Sequence, residues 1–130
     1  MSAPVFLKPA QTCAAALMLA VMGGCANGGD PDSPLRVAVQ TTGGRSQLQL
    51  VALPGYRINA SIPPSLETAD TVIRFAGPLD PADSLYFAGA ATAPCPSRGR
   101  VRGVVLASVC AANERVCRTA RAKVSLRCDA

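Results

Sequence analysis

The chain has 130 residues, 49% of them apolar, a formal net charge of +5 and no histidine. Without histidine neither a Cys/His zinc site nor a Ser-His-Asp or Cys-His nucleophile is available, which sets aside the common zinc and hydrolase classes. Aromatic residues make up 4% and tryptophan is absent, so a core has to be packed from Val, Leu, Ile and Ala.

Lys8 precedes an apolar run from Thr12 to Met22, which closes on Val21-Met22-Gly23-Gly24-Cys25. A weakly positive start, an apolar run and small residues at its end form the pattern of an export signal. The run falls short of the about 20 residues a spanning helix needs. The small residues ahead of Cys25 resemble the lipobox of bacterial lipoproteins. That resemblance implies a signal peptide over 1–24 and lipidation of Cys25 as the new N-terminus. Ala26, with no Asp at that place, is similar to lipoproteins passed to the outer membrane of a Gram-negative cell, which implies a periplasmic domain anchored to the membrane by its lipid. Residues 25–34, with Asn27-Gly28-Gly29-Asp30-Pro31-Asp32-Ser33-Pro34, are too polar and too rich in Gly and Pro to pack and are expected to be a flexible tether.

Residues 35–130 suffice for one small domain with a modest core, a size that gains from cross-links. Arg36 to Gln40 and Ser46 to Leu53 alternate polar and apolar residues, and Thr41-Thr42-Gly43-Gly44 between them signals a turn. Further strands are expected over Tyr56 to Ala60, Thr71 to Phe75, Leu85 to Ala88, Arg100 to Val109 and Thr119 to Arg127. Pro54-Gly55, Pro63-Pro64, Gly77-Pro78 and Pro94-Cys95-Pro96 separate them. Only Leu66 to Asp70 and Pro81 to Ser84 suit a helical turn. About seven short strands so punctuated predict an all-β domain, an immunoglobulin-like β-sandwich. Asp70, Asp80 and Asp83 sit among turn residues, where Asp starts or caps a turn more readily than it catalyses. Gly28-Gly29 and Gly43-Gly44 lack the strand-loop-helix setting of a phosphate-binding loop.

With Cys13 removed and Cys25 lipidated, Cys95, Cys110, Cys117 and Cys128 remain, and four cysteines in an oxidising compartment allow three disulfide pairings. A four-cysteine zinc site would need close CxxC pairs, which are missing, so no metal or other cofactor is expected. In the last strand Ala120, Ala122, Val124, Leu126 and Cys128 share one face, which places Cys128 inward. Cys110 and Cys117 face each other across a hairpin, which favours Cys95 with Cys128 as a structural staple and Cys110 with Cys117 as the second bond, although loop closure alone does not decide connectivity. A bond closing so short a loop constrains the unfolded chain less than a long-loop bond does, so Cys110 and Cys117 are also candidates for redox work.

From Cys95 onward seven Arg and one Lys stand against Glu114 and Asp129. No aromatic residues interleave with these arginines, which argues against nucleic acid and for a solvated basic face. Arg115 and Arg118, flanking Cys117, would stabilise a thiolate there; Glu114 would oppose it or accept a proton.

Three stretches, Leu53-Pro54-Gly55-Tyr56-Arg57-Ile58-Asn59-Ala60, Gly103-Val104-Val105-Leu106-Ala107-Ser108-Val109-Cys110, and Cys117 followed by Thr119 to Leu126, resemble the N-terminal periplasmic domain of the thiol:disulfide interchange protein DsbD. The similarity spans residues 35–128 and is most specific at the paired-cysteine hairpin. Arg118-Thr119-Ala120 after the second cysteine, and the extra Cys95 and Cys128, depart from that pattern. The resemblance implies thiol-disulfide exchange through Cys110 and Cys117 with a periplasmic redox protein, Cys117 engaging the partner and Cys110 resolving the mixed disulfide. It also implies a cap over the cysteines, for which Leu85-Tyr86-Phe87 is the expected segment. The competing expectation is a structural or binding outer-membrane lipoprotein stapled by two permanent disulfides.

Overall fold

A computed structural model describes residues 32–113 and 116–129. The export segment with Cys25, the tether up to Pro31, and Glu114 and Arg115 therefore lie outside the described residues. Eight strands follow one another: β1 (Leu35–Thr42), β2 (Arg45–Ala52), β3 (Tyr56–Ile58), β4 (Ser65–Glu67), β5 (Val72–Arg74), β6 (Ala91–Pro94), β7 (Gly99–Ala111) and β8 (Cys117–Cys128). No helix occurs among the described residues, and the chain is all-β.

β1 and β2 form the expected hairpin, from Leu35↔Ala52 to Thr42↔Arg45. Gly43 and Gly44 turn it at φ values of 61° and 81°. Positive φ at both central residues matches the twist of the flanking strands, and glycine adopts it without a Cβ clash. Packing begins at Ser33, two residues ahead of Leu35: Ser33 is buried, its Oγ accepts the Leu35 N–H at 3.2 Å, and Pro34 O accepts the Leu53 N–H at 2.8 Å.

The middle of the chain departs most from expectation. β4 takes Ser65–Glu67, running into the Leu66 to Asp70 stretch where a helical turn was expected, and β6 takes Ala91–Pro94, just ahead of and into the Pro94-Cys95-Pro96 break, where no strand was expected. Thr68 explains the first, because its Oγ accepts the N–H groups of Asp70 and Thr71 at 3.3 and 3.1 Å, tightening a β4–β5 hairpin instead of a helix. Proline is tolerated at the last residue of β6 because that strand lies at a sheet edge. Leu85 to Ala88 is not a strand; only Tyr86 and Phe87 make single pairings, with Asn59 and Leu79. The Asp80 and Asp83 carboxylates accept the N–H groups of Ala82 and Leu85 at 2.9 and 3.3 Å. These bonds replace a helical turn over Pro81 to Ser84 with successive bends, in the turn-starting role anticipated for Asp.

β1, β2 and β6 form a three-stranded sheet in the order β1-β2-β6; β3, β4, β5, β7 and β8 form a five-stranded one. β7 is the axis of the larger sheet. β8 pairs with it from Gly99↔Cys128 to Cys110↔Cys117, while β4 and β3 take successive segments of its other edge. Side chains alternate across a strand, so Val101, Val105, Ala107, Ala120, Ala122, Val124, Leu126 and Cys128 point inward. They join Leu35, Val37, Leu48, Leu50, Ala91 and Ala93 of the smaller sheet in one apolar cluster. The inward face of β8 is the one its alternation predicts.

Gly103 sits where β7 passes close to β4. A Cβ there would collide with the Glu67 carbonyl oxygen and stand 3.0 Å from Leu66 Cδ1. Backbone cannot retreat as a flexible side chain would, so Gly103→Ala is expected to destabilise the fold by roughly 1–3 kcal/mol, as overpacking does, read as a lower denaturation midpoint.

Candidate functional site

Two disulfides are present: Cys95–Cys128 with a Cα–Cα distance of 6.1 Å, and Cys110–Cys117 at 4.0 Å. They occupy different environments. Cys128 belongs to the core cluster shared by the two sheets and Cys95 packs against it. Cys110 and Cys117 are the last cross-strand pair of the β7–β8 hairpin. Alternation places them on the outer face of the larger sheet, opposite in direction to Val109 and Ala120. Cys110 is 1% exposed without joining the shared core, and Cys117 is exposed. The bond therefore has one buried and one solvent-facing residue.

The row of this face containing the cysteines runs Arg57, Cys110, Cys117 across β3, β7 and β8. Arg57 was not singled out from the sequence. Its guanidinium carbon lies 3.7 Å from the centroid of the Tyr86 ring, a cation–π contact, and its Nε is buried with no hydrogen-bond partner among the described residues. Tyr86 is held against the free edge of β3: Ala60 donates its N–H to Leu85 O at 2.7 Å, Phe87 donates to Ile58 O at 3.2 Å, and Asp80 donates to Tyr86 O at 2.9 Å. The Leu85-Tyr86-Phe87 segment thus runs beside the row that ends in the disulfide.

Of the cations expected around Cys117, Arg118 is placed differently. Arg118 is the next residue along β8 and so points to the opposite face. There it lines an open cleft of about 610 Å³ with Tyr56, Val109, Ala111 and Val116. Neither cysteine lines that cleft. Arg115 and Glu114 lie outside the described residues. Sequence spacing alone pointed to Arg118, and strand alternation, applied to β8 from Cys128 backwards, would have turned it away. Arg57 depended on knowing that β3 pairs with the end of β7, a contact between distant segments that no local pattern announces.

Chemically, the row offers a sulfur–sulfur bond approachable from the Cys117 side, with a cation as the cross-strand neighbour of Cys110. Among the described residues no three His, Cys, Asp or Glu side chains gather as metal ligands. No protein family matches the sequence, and no curated protein or solved structure matches it.

Proposed function

We propose that this chain is a lipid-anchored periplasmic protein whose immunoglobulin-like domain, related to the N-terminal domain of the interchange protein DsbD, exchanges electrons through the Cys110–Cys117 disulfide. One observation carries the reading: this bond lies outside the shared core with Cys117 exposed, whereas Cys95–Cys128 is built into the core. The pairing of the two longest strands into the terminal hairpin that bears the cysteines supports the family assignment. The signal over 1–24 and lipidation of Cys25 at the outer membrane are proposed on the residues of the export segment.

The exchange runs as follows. A thiolate of a partner dithiol attacks Sγ of Cys117, the Cys110–Cys117 bond breaks, and Cys110 leaves as a thiolate while a mixed disulfide forms at Cys117. The partner's second thiolate then displaces Cys117, so the partner becomes a disulfide, the chain a dithiol, and two electrons have passed to the chain. The reverse sequence reduces a partner disulfide. Arg57, across the sheet from Cys110, favours the leaving thiolate. The Tyr86 ring holds that guanidinium in place, which supports Leu85-Tyr86-Phe87 as the cap.

A second reading, a binding or structural lipoprotein with two permanent disulfides, is favoured by the burial of Cys110. Equilibration of the chain in dithiothreitol or glutathione buffers, with mass-spectrometric mapping of alkylated cysteines, separates the two. The exchange reading expects Cys110–Cys117 to open within the periplasmic redox range while Cys95–Cys128 stays closed. Opening of both bonds only on unfolding assigns the chain to the second reading.

A further inference from the structure

The outer face of the larger sheet carries a charge pattern the disulfide chemistry does not use. Below the cysteine row, register fixes the rows across the sheet. Arg74, Ser65, Leu106 and Arg121 form one, and Val72, Glu67, Val104 and Lys123 the next; Arg102 with Ser125 and Arg100 with Arg127 complete the face. All six cations are exposed. Of the six, Arg127 alone has an ion-pair partner among the described residues, Asp129 at 3.4 Å, and Arg100 donates to Ser125 Oγ at 3.2 Å. Glu67 is the one carboxylate within these rows. At strand spacings the rows from Arg100 to Leu106 span about 20 Å, so neighbouring charges lie within a Debye length and act together.

Folding does not account for this arrangement. Arg100 and Arg127 stand directly opposite each other, and like charges so placed destabilise a pair of strands. The outward face of the smaller sheet carries two cations, Arg36 and Arg45, beside the uncharged Ala38, Gln40, Gln47, Gln49 and Thr92. The positive charge is concentrated on the larger sheet.

We propose that this cationic face docks on a bilayer rich in anionic phospholipid, the six cations meeting lipid phosphates with the sheet lying flat. The face is a plane of long cationic side chains, which suits an extended anionic surface. Its apolar content is Val72, Val104 and Leu106 with no aromatic residue, so it lacks both the aromatic anchor of a protein interface and the stacking platform of a single-stranded nucleic-acid site. The proposal leans on the lipid-anchored part of the preceding reading for the nearness of a membrane, and is independent of electron exchange.

Flotation of the full-length chain with phosphatidylcholine vesicles, with and without phosphatidylglycerol, tests it. Binding is expected to rise with phosphatidylglycerol and fall with salt, and Arg121→Glu with Lys123→Glu should weaken the phosphatidylglycerol-dependent part roughly a hundredfold. A control with the same change in net charge on the smaller sheet, Arg45→Glu with Gln47→Glu and Gln49→Glu, should leave most of it. Equal loss in both variants overturns the proposal, as does binding indifferent to phosphatidylglycerol. So does face-dependent retention on polyglutamate in the absence of vesicle binding, which would assign the face to an acidic polypeptide. The neutral pair Arg121→Gln and Lys123→Gln repeats the test if charge reversal disturbs the fold. Mass spectrometry of Cys25 reads lipidation separately, so an unlipidated chain with face-dependent vesicle binding would sink the anchor and keep the surface.

Discussion

Cys128→Ser is expected to lower the stability of the domain by about 4 kcal/mol, roughly one and a half times the loss from Cys117→Ser, on a chain-entropy estimate. The asymmetry has two sources. The Cys95–Cys128 bond spans a sequence separation of 33 and the Cys110–Cys117 bond one of 7, so opening the former frees far more of the unfolded chain. Cys128 is also 1% exposed within the core cluster, where a serine hydroxyl would be buried among Val101, Leu126 and their neighbours. Removing Cys117 leaves Cys110 outside the shared core, as the cross-strand neighbour of Arg57. Denaturant midpoints of the two variants, measured under the same oxidising conditions, check the ratio. If exchange operates, Cys117→Ser also abolishes mixed-disulfide formation with a dithiol probe while Cys128→Ser retains it. Equal destabilisation, with exchange lost in neither, would remove the division between a staple and a working bond.

The second large effect is expected at Phe75. It is 2% exposed and heads the largest fully buried side chains, in a domain whose core is otherwise Val, Leu, Ile and Ala with Cys128. Its position matters as much as its size. Phe75 donates its N–H to Pro64 O at 2.9 Å, and the next residue, Ala76, exchanges hydrogen bonds with Thr92 at 2.9 and 2.8 Å. The chain therefore passes at this point from the larger sheet to the edge of the smaller one, with the ring inserted in the core both sheets share. Phe75→Ala is expected to cost about 3–5 kcal/mol, and Phe75→Leu clearly less because much of the volume is kept. Thermal or denaturant unfolding of the three proteins would show the ordering; a loss at Phe75→Ala within the range of a surface substitution would mean that the two sheets are held together elsewhere.

Legibility followed the length and polarity contrast of each segment. The inward face of β8 was readable, because five small or apolar side chains alternate with Arg, Lys, Ser and Thr, and one face is buried while the other is wet; the strand itself extends past the expected Thr119 to Arg127, to Cys117 and Cys128. The β1–β2 hairpin was readable because two glycines sit where a tight turn needs positive φ. β4 and β6 were not. Three or four residues carry too little periodicity to compete with flanking prolines, and both strands exist because β7 and β2 offer them an edge. The same limit governed the candidate site. The hairpin favoured pairing Cys110 with Cys117 without deciding it, and Cys128 could be turned inward from β8 alone. The neighbour of Cys110 could not be named, since Arg57 reaches it only through pairing between β3 and a strand far along the chain. Arg118 was misplaced for the opposite reason: closeness in sequence stood in for closeness in space, and on a strand adjacent residues are on opposite sides.

The position of β7 as the common edge for β3, β4 and β8 has a consequence for the order of assembly. A chain that emerges N-terminus first can close β1 on β2 and β4 on β5 early, because those pairings are local. β3 and β4 then wait for their partner, which follows only after β6. The larger sheet consequently forms late; its β7–β8 ladder closes locally, while β3 and β4 join β7 through long loop closures, which slow folding relative to a domain built on local contacts alone. Thiol oxidation inherits that schedule. The short Cys110–Cys117 loop can close as soon as its turn has emerged, whereas Cys95 has its partner only when the end of β8 is out. In between, the mispairing of Cys95 with Cys110 or Cys117 is the kinetic hazard built into this topology, and the full β7–β8 ladder is what brings the staple to its proper partner.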